Sequence, residues 1–247
     1  MTTAIISKMN ELKLYGMSSA YQTSLEINQH YTADELLNYL VESEWLERQN
    51  RLQSGRIKQA KFRYQAMISE IDFSVNRNLD KTIIMRLADC SFMQRAENII
   101  ITGKTGSGKS YLASALGHQA CVKGMKVLYA NTNRLVSELR MSKADNSYPR
   151  EIAKIARQQL LILDDFGMQP FDGESRLMLL DIMEDRHEKN STIITTQLPV
   201  SCWQEIIGEP TIADAILDRL VHNAHRIEIE GKDSMRKNKN LTMKKER

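Results

Sequence analysis

The sequence predicts an α/β fold, a parallel doubly wound sheet behind a small α-helical N-terminal domain, and three observations carry that expectation. From Asn98 onward, short apolar runs of strand character alternate with stretches of helical period. One such run, Asn98 to Ile101, leads straight into a glycine loop, Gly103-Lys104-Thr105-Gly106-Ser107-Gly108-Lys109-Ser110, which opens a helix. Before residue 69 the chain holds only Gly16 and Gly55 and no proline, and its apolar spacing is helical.

Residues 1–68 read as three or four short helices, with breaks near Gly16-Met17, near Tyr31 and at Ser54-Gly55. Ile5, Met9 and Leu12 form one stripe. Leu36, Leu37, Leu40, Val41 and Trp45 form another, which reads as core or helix–helix contact rather than a ligand site. Thr32 with Glu35 three residues on has the form of a capping box. Residues 69–97 are a lead-in whose apolar clusters, Ile83-Ile84-Met85 with Leu87 and Phe92-Met93, are expected to pack on the edge of the next domain. Ile71 and Phe73 read either as neighbours of a nucleotide base or, more simply, as core.

The domain of residues 98–231 continues past the loop with a helix from Tyr111 to Val122 and a strand over Lys126–Ala130. Leu135, Val136 and Leu139 have helical spacing, Ser142–Pro149 reads as a polar surface loop, and Arg150–Gln158 as a helix. Leu160 to Asp165 is a strand of four apolar residues ending in two carboxylates. Gly173–Asn190 reads as an amphipathic helix with Leu177, Leu180, Ile182 and Met183 inward, followed by a strand over Ser191–Gln197. Helices over Pro199–Ile207 and Ile212–Val221 precede a closing strand, Ala224–Glu230, and residues 232–247 form a basic tail.

The glycine loop fits G-x-x-x-x-G-K-[ST] at every fixed position. Its backbone N–H groups, from Gly103, Lys104, Thr105, Gly106, Ser107 and Gly108 through Lys109, Ser110 and Tyr111, can cradle a triphosphate at the positive end of the following helix dipole. Lys109 would reach the β- and γ-phosphates, and the Ser110 hydroxyl would ligate Mg²⁺. The bland alternative is a glycine turn, which the flanking strand and helix argue against. A carboxylate at the C-terminal end of the second apolar strand faces such a loop, so Asp164 would hold Mg²⁺ with Ser110, and Asp165 would polarise the attacking water. Gln197, at the end of the next strand, would lie beside the γ-phosphate, able to orient water or report phosphate loss.

Charge and cysteine content narrow the classes further. The net charge is only +3, yet Arg48, Arg51, Arg56, Lys58, Lys61 and Arg63 occur within residues 48–67, a stretch with no acidic residue, and the tail carries seven Lys/Arg against two acids. Such patches suit a polyanion such as DNA, or else a solvated face and a frayed terminus. Three scattered cysteines, Cys90, Cys121 and Cys202, indicate neither a disulfide frame nor a zinc site. No signal-like or membrane-length apolar run is seen, so a cytoplasmic protein is expected.

One further strand lies between the loop strand and the Asp164 strand. That separates AAA+ and RecA-like ATPases, with an expected sheet order of 5-1-4-3-2, from nucleoside kinases and GTPases. The absence of an Asn/Thr-Lys-x-Asp motif favours ATP over GTP. With GKTGSGKS (103–110), LLILDDF (160–166), TTQLP (195–199), IGEPTIADAILDRLVHNAHRIEIEG (207–231) and SMRK (234–237), the whole chain resembles the IstB/DnaC-like AAA+ ATPases. Within them it is most similar to the IstB helpers encoded beside the transposase in bacterial insertion sequences. The resemblance implies that Gln197 is the polar sensor, that Arg219 is a finger reaching the γ-phosphate of a neighbouring subunit, and that Arg236 is a second sensor. Read without the family, Arg219 pairs with Asp214 or Asp218 on its own helix. AAA+ proteins in general usually carry Asp-Glu where this chain has Asp164-Asp165, which implies slow hydrolysis.

The resulting expectation is an ATP- and Mg²⁺-dependent homo-oligomer that binds double-stranded DNA without sequence readout and assists a cognate transposase. A helicase loader of the DnaC type and an ATP-gated DNA clamp with negligible hydrolysis are the rivals. A small-molecule kinase is more distant, because no arginine-rich lid is evident.

Overall fold

The structure is a computed structural model that describes residues 2–27, 30–75 and 77–230. Arg236, the SMRK run and the basic tail lie outside the described residues. The chain forms two compact units, residues up to Gly55 and residues from Arg56 onward.

The first unit holds helices α1 (Thr2–Glu11) and α2 (Tyr15–Ile27) and most of α3 (Ala33–Ala60). The capping box at the start of α3 is formed: Thr32 N–H donates to Glu35 Oε2 (2.8 Å), and Glu35 N–H donates to Thr32 Oγ1 (3.3 Å). Gly16 does not break the chain. The turn falls at Lys13, with φ 60°, and Gly16 lies in the first turn of α2. A Cβ there would stand 2.4 Å from the Ser43 carbonyl oxygen, so glycine is what lets α2 and α3 approach. The carboxylate of Glu44 accepts from the N–H groups of Gly16 (2.8 Å) and Met17 (3.3 Å) and so caps α2. Nor does α3 break at Ser54-Gly55: it runs unbroken from Ala33 to Ala60, because one mid-helix glycine costs only about 1 kcal/mol among strong helix formers. Its apolar stripe is not core. Leu40 is buried, but Leu37 (60%), Val41 (49%) and Trp45 (55%) are exposed.

In the second unit, α4 (Lys81–Ala88) and α5 (Ser91–Gln94) precede β1 (Asn98–Gly103) and α6 (Lys109–Val122). Then come β2 (Val127–Asn131), α7 (Thr132–Ala144), α8 (Tyr148–Ala156), β3 (Leu160–Phe166), α9 (Gly173–Arg186) and β4 (Ser191–Thr196). The series closes with α10 (Trp203–Ile207), α11 (Pro210–Val221) and β5 (Ala224–Ile229). The sheet order is β2-β3-β4-β1-β5 with every pair parallel, the expected order read from its other edge.

Strand side chains alternate between faces, and that period assigns the two layers. Ile99, Ile101 and Ile162 pack with α4, α5 and α6, while Ile100, Leu161, Leu163 and Ile194 pack with α7, α8, α9 and α11. Each such side chain contributes about 1.5–3 kcal/mol by burial.

Past residue 55 the chain packs with the second unit: Ala60 and Ala66 are buried in the first of these layers, with Phe62, Tyr64 and Ile68 packed against it. Three local expectations also change. Of the first lead-in cluster only Ile84 and Leu87 are buried, with Ile83 and Met85 outside, whereas Phe92 and Met93 of the second are both buried. The loop expected over residues 142–149 shrinks to 145–147. Ser142 is buried in α7 with its hydroxyl donating to the Leu139 carbonyl, and Pro149 lies in the first turn of α8. In α9 the buried face is Met178, Leu179, Ile182 and Met183, and Leu177 is 49% exposed.

Candidate nucleotide site

The phosphate loop joins β1 to α6 as the sequence indicates, and its backbone shape depends on glycine at Gly103. A Cβ at that position would meet the Ile229 carbonyl oxygen at 2.4 Å and Ser107 Oγ at 2.9 Å. Lys109 is buried and donates to the carbonyls of Gly103 (2.7 Å) and Lys104 (2.9 Å), so its ammonium lies folded across the loop. Ser107 Oγ is buried without a hydrogen-bond partner. A buried hydroxyl left without a partner in a phosphate-loop sequence is consistent with a loop built to take an anion.

Asp164 is the centre of the site. It is fully buried at the C-terminal end of β3, and three hydroxyls from three other elements donate to it. Ser110 Oγ reaches Oδ1 at 2.7 Å, Thr195 Oγ1 reaches the same oxygen, and the Tyr129 hydroxyl reaches Oδ2. Burial, reinforced by that hydrogen bond to a carboxylate, raises the Tyr129 phenol well above its ordinary range and keeps it a donor. Thr132 Oγ1 donates to the Asp164 carbonyl at 3.0 Å. Sequence reasoning missed Thr195, Tyr129 and Thr132, although the polar endings of strands otherwise apolar are the signal that marks them.

A β-bulge aims the second carboxylate. Register between β3 and β4 shifts between Leu163 and Phe166, and Asp165 adopts φ 57°. Successive side chains of a regular strand would point to opposite faces. Here the bulge brings both carboxylates within reach of one guanidinium: Arg63 Nη1 lies 3.2 Å from Asp164 Oδ2 and 3.3 Å from Asp165 Oδ2. Asp tolerates this left-handed conformation better than most residues. Asn131 Nδ2 holds Asp165 Oδ2 at 3.1 Å while its own Oδ1 caps α7 through Arg134 N–H.

Gln197 sits over the loop, where its Oε1 accepts from Thr105 Oγ1 at 2.7 Å. Tyr111 donates to Glu70 at 2.7 Å, and burial together with that carboxylate pushes its phenol up to about 12. Arg77, unremarked in the sequence, is buried, and its Nη1 braces the Ser107 carbonyl at 3.4 Å. Ile71 is buried in the core, and Phe73 packs against it.

Arg219 lies elsewhere. It is on α11 near the N-terminal ends of the strands, away from the phosphate loop, and lines a cleft of about 750 Å³ with Asn98, Arg95, His222 and Asn223. It pairs with neither Asp214 nor Asp218. Its Nη1 donates to the Ala215 carbonyl at 2.7 Å and its Nη2 to Glu184 at 3.0 Å, while Nε is buried without a partner. The basic stretch is likewise spread over several environments. Arg48 pairs with Glu44 at 2.7 Å, Arg51 lies over the Tyr15 ring, Arg56 lies beside Gly124, Arg63 is in the nucleotide site, and Lys58 and Lys61 are exposed.

The donor set fits Mg²⁺. Ser110 Oγ and Asp164 Oδ1 are adjacent hard oxygens beside the phosphate loop, and Mg²⁺ is held by one or two such groups with phosphate and water completing its octahedron. Among the described residues there is no cluster of three or more His, Cys, Asp or Glu that would make a dedicated metal cage.

A phosphate loop, an apolar strand ending in the Asp164 carboxylate and the interposed β4 define an α/β P-loop domain of the AAA+ type. Solved structures agree in fold. The chain matches DnaI (TM-score 0.57, 23% identity, 67% of this chain and 91% of that one) and the DnaC helicase loader (0.55, 19%, 71% and 99%). It also matches AMPPCP-bound DnaA from Aquifex aeolicus (0.59, 17%, 76% and 56%).

The chain belongs to the family of IstB-like ATP binding proteins, which matches residues 7–243. A Sinorhizobium fredii protein described as an insertion sequence ATP-binding protein is 43% identical over 235 residues, 94% of this chain and 96% of its own length. The ATP-binding protein of insertion sequence IS21 from Pseudomonas aeruginosa is 31% identical over 233 residues, 94% of this chain and 88% of its own. Among the described residues no helix is long and apolar enough to cross a membrane.

Proposed function

We propose that this chain is an ATP-hydrolysing, DNA-binding assembly factor that serves a transposase. The observation that carries the chemistry is the convergence of Lys109, Ser110 and Asp164 at one end of the sheet, with Arg219 presented at the other. Lys109 exchanges its loop carbonyls for the β- and γ-phosphates when ATP enters. Ser110 and Asp164 would hold Mg²⁺, which neutralises phosphate charge and orients the triphosphate. Asp165 accepts a hydrogen bond from the attacking water, and Gln197, already against Thr105, senses the γ-phosphate. Arg219 of one copy completes the site of the next, so assembly and hydrolysis are coupled. Arg236, in the basic tail, acts as a second sensor.

The insertion-sequence relatives support the biological reading: a transposase is the partner and double-stranded DNA the substrate surface. The basic residues Arg48, Arg51, Arg56, Lys58 and Lys61 contact phosphates without reading bases. The division into helical module, lead-in, ATPase core and basic tail follows the same reading, as does a cytoplasmic location.

ATP turnover with and without double-stranded DNA, with particle size followed by light scattering in the same samples, tests this. ATP and DNA together should drive assembly, and DNA should change turnover. A protein that stays small and indifferent to DNA would refute it in favour of a helicase-type protein partner.

A further inference from the structure

Arg63 lies at the end of the basic stretch but faces the nucleotide site. Its backbone is held on both sides: Phe62 lies edge-on to Tyr129 at 6.4 Å and against Gly117, and Tyr64 packs on Tyr111 at 6.2 Å. That packing aims the guanidinium, whose side chain is 43% exposed, at Asp164 (0%) and Asp165 (29%). A fully buried carboxylate costs several kcal/mol unless a cation or a full set of donors compensates it. Hydroxyls of Ser110, Thr195 and Tyr129 supply donors, and among the described residues Arg63 is the one cation paired with Asp164.

From this geometry we infer that Arg63 is a built-in stand-in for the divalent cation, a positioning residue that neutralises both carboxylates until Mg²⁺ arrives. The inference rests on the nucleotide-site reading above. Two consequences follow from charge alone. Mg²⁺ entering beside Ser110 meets a positive charge already on Asp164, so Arg63 raises the Mg²⁺ concentration the site requires. Asp165, paired with the same guanidinium, is a weak acceptor for water until that contact loosens. Withdrawal of the guanidinium breaks its contact over the Tyr64 ring (5.5 Å to the centroid) along with the two ion pairs, while Phe62 against Tyr129 and Tyr64 against Tyr111 keep the backbone in place.

The test uses thermal melting with MgCl₂ alone, so it does not depend on ATP binding. Arg63→Gln should melt roughly 5 °C below the wild type in EDTA, and millimolar Mg²⁺ should restore most of that loss. Wild-type melting should be indifferent to Mg²⁺, and Arg63→Lys, which keeps the charge without the planar fork, should lie close to wild type.

With a fluorescent ADP analogue, Arg63→Gln should need about fivefold less Mg²⁺ for half-maximal binding, while its Mg²⁺-free affinity stays within about twofold. The inference is overturned if Arg63→Gln melts like the wild type, or if Mg²⁺ fails to rescue it, since the residue is then only structural. Equal loss in the Gln and Lys variants overturns it too, and so does a tenfold drop in Mg²⁺-free ADP affinity, which would make Arg63 a phosphate ligand. Failure of the nucleotide-site reading shows separately, as an absence of ADP binding by the wild type.

Discussion

The two ends of the sheet are built to opposite plans. At the C-terminal ends of the strands, Asp164 is enclosed by Ser110, Thr195, Tyr129 and Arg63, four side chains from four segments, and both of its oxygens are satisfied within the chain. At the N-terminal ends a cleft stays open, and Arg219 keeps one buried N–H without a partner. A closed network fixes geometry and makes the site rigid. The open one leaves room beside Arg219, whose charge is held by Glu184 at 3.0 Å, for a group from outside to enter. The contrast favours a site shared between copies, with one end receiving the nucleotide and the other supplying an arginine.

The sharpest way to break the first end is Lys109→Ala. It removes the buried cation of the phosphate loop and should lower ATP affinity at least about 100-fold by titration calorimetry, since several charge-assisted hydrogen bonds go at once. Undiminished affinity would overturn the assignment. At the second end, Arg219→Ala should leave ATP affinity within about threefold and lower turnover on the order of 10³-fold. Full activity in that variant would show that the arginine serves no other copy.

Two smaller effects test how the second end is held. Asn98 ties the floor of the cleft together, donating to the carbonyls of Arg219 (3.0 Å) and Leu220 (3.2 Å) and accepting from Thr192 N–H (2.9 Å). Asn98→Ala strands those groups and should cost about 2–3 kcal/mol in urea unfolding. It should reduce Arg219-dependent turnover before it affects ATP binding.

Glu97, beside the cleft, is held down to about 2, first by the hydrogen bond from Arg95 and then by His225, against an ordinary value of 4.5. Because the folded value is the lower one, its contribution is fully present above about 4.5 and lost as pH falls toward about 2. At this partly exposed site it should amount to about 1 kcal/mol. Glu97→Gln should flatten that part of the stability profile between pH 5 and pH 3, and an unchanged slope would contradict the pairing.

Legibility in the sequence also differs between the ends. The phosphate loop is a contiguous motif with fixed spacing, so Gly103 to Ser110 could be placed without a structure; the carboxylate strand was visible as an apolar run ending in two acids, and the sheet order came with the AAA+ class. Arg63 could not be placed. It lies 101 residues from Asp164, and within a basic run its charge reads as surface until the fold turns it inward. Asp165's bulge was hidden because a left-handed aspartate carries no local signature of the kind glycine does. The helix through Gly55 and the exposed Trp45 misled for a related reason. A helical apolar period says that a face exists, not what covers it, and a single glycine is weak punctuation inside a long run of helix formers.

The most direct test of the shared-site account is a mixing experiment. Lys109→Ala cannot take ATP but keeps its arginine, and Arg219→Ala takes ATP but lacks the arginine. Each should be nearly inactive alone. If Arg219 of one copy completes the site of another, an equimolar mixture should regain a clear share of wild-type ATP turnover. A mixture no more active than its two components together would contradict the account.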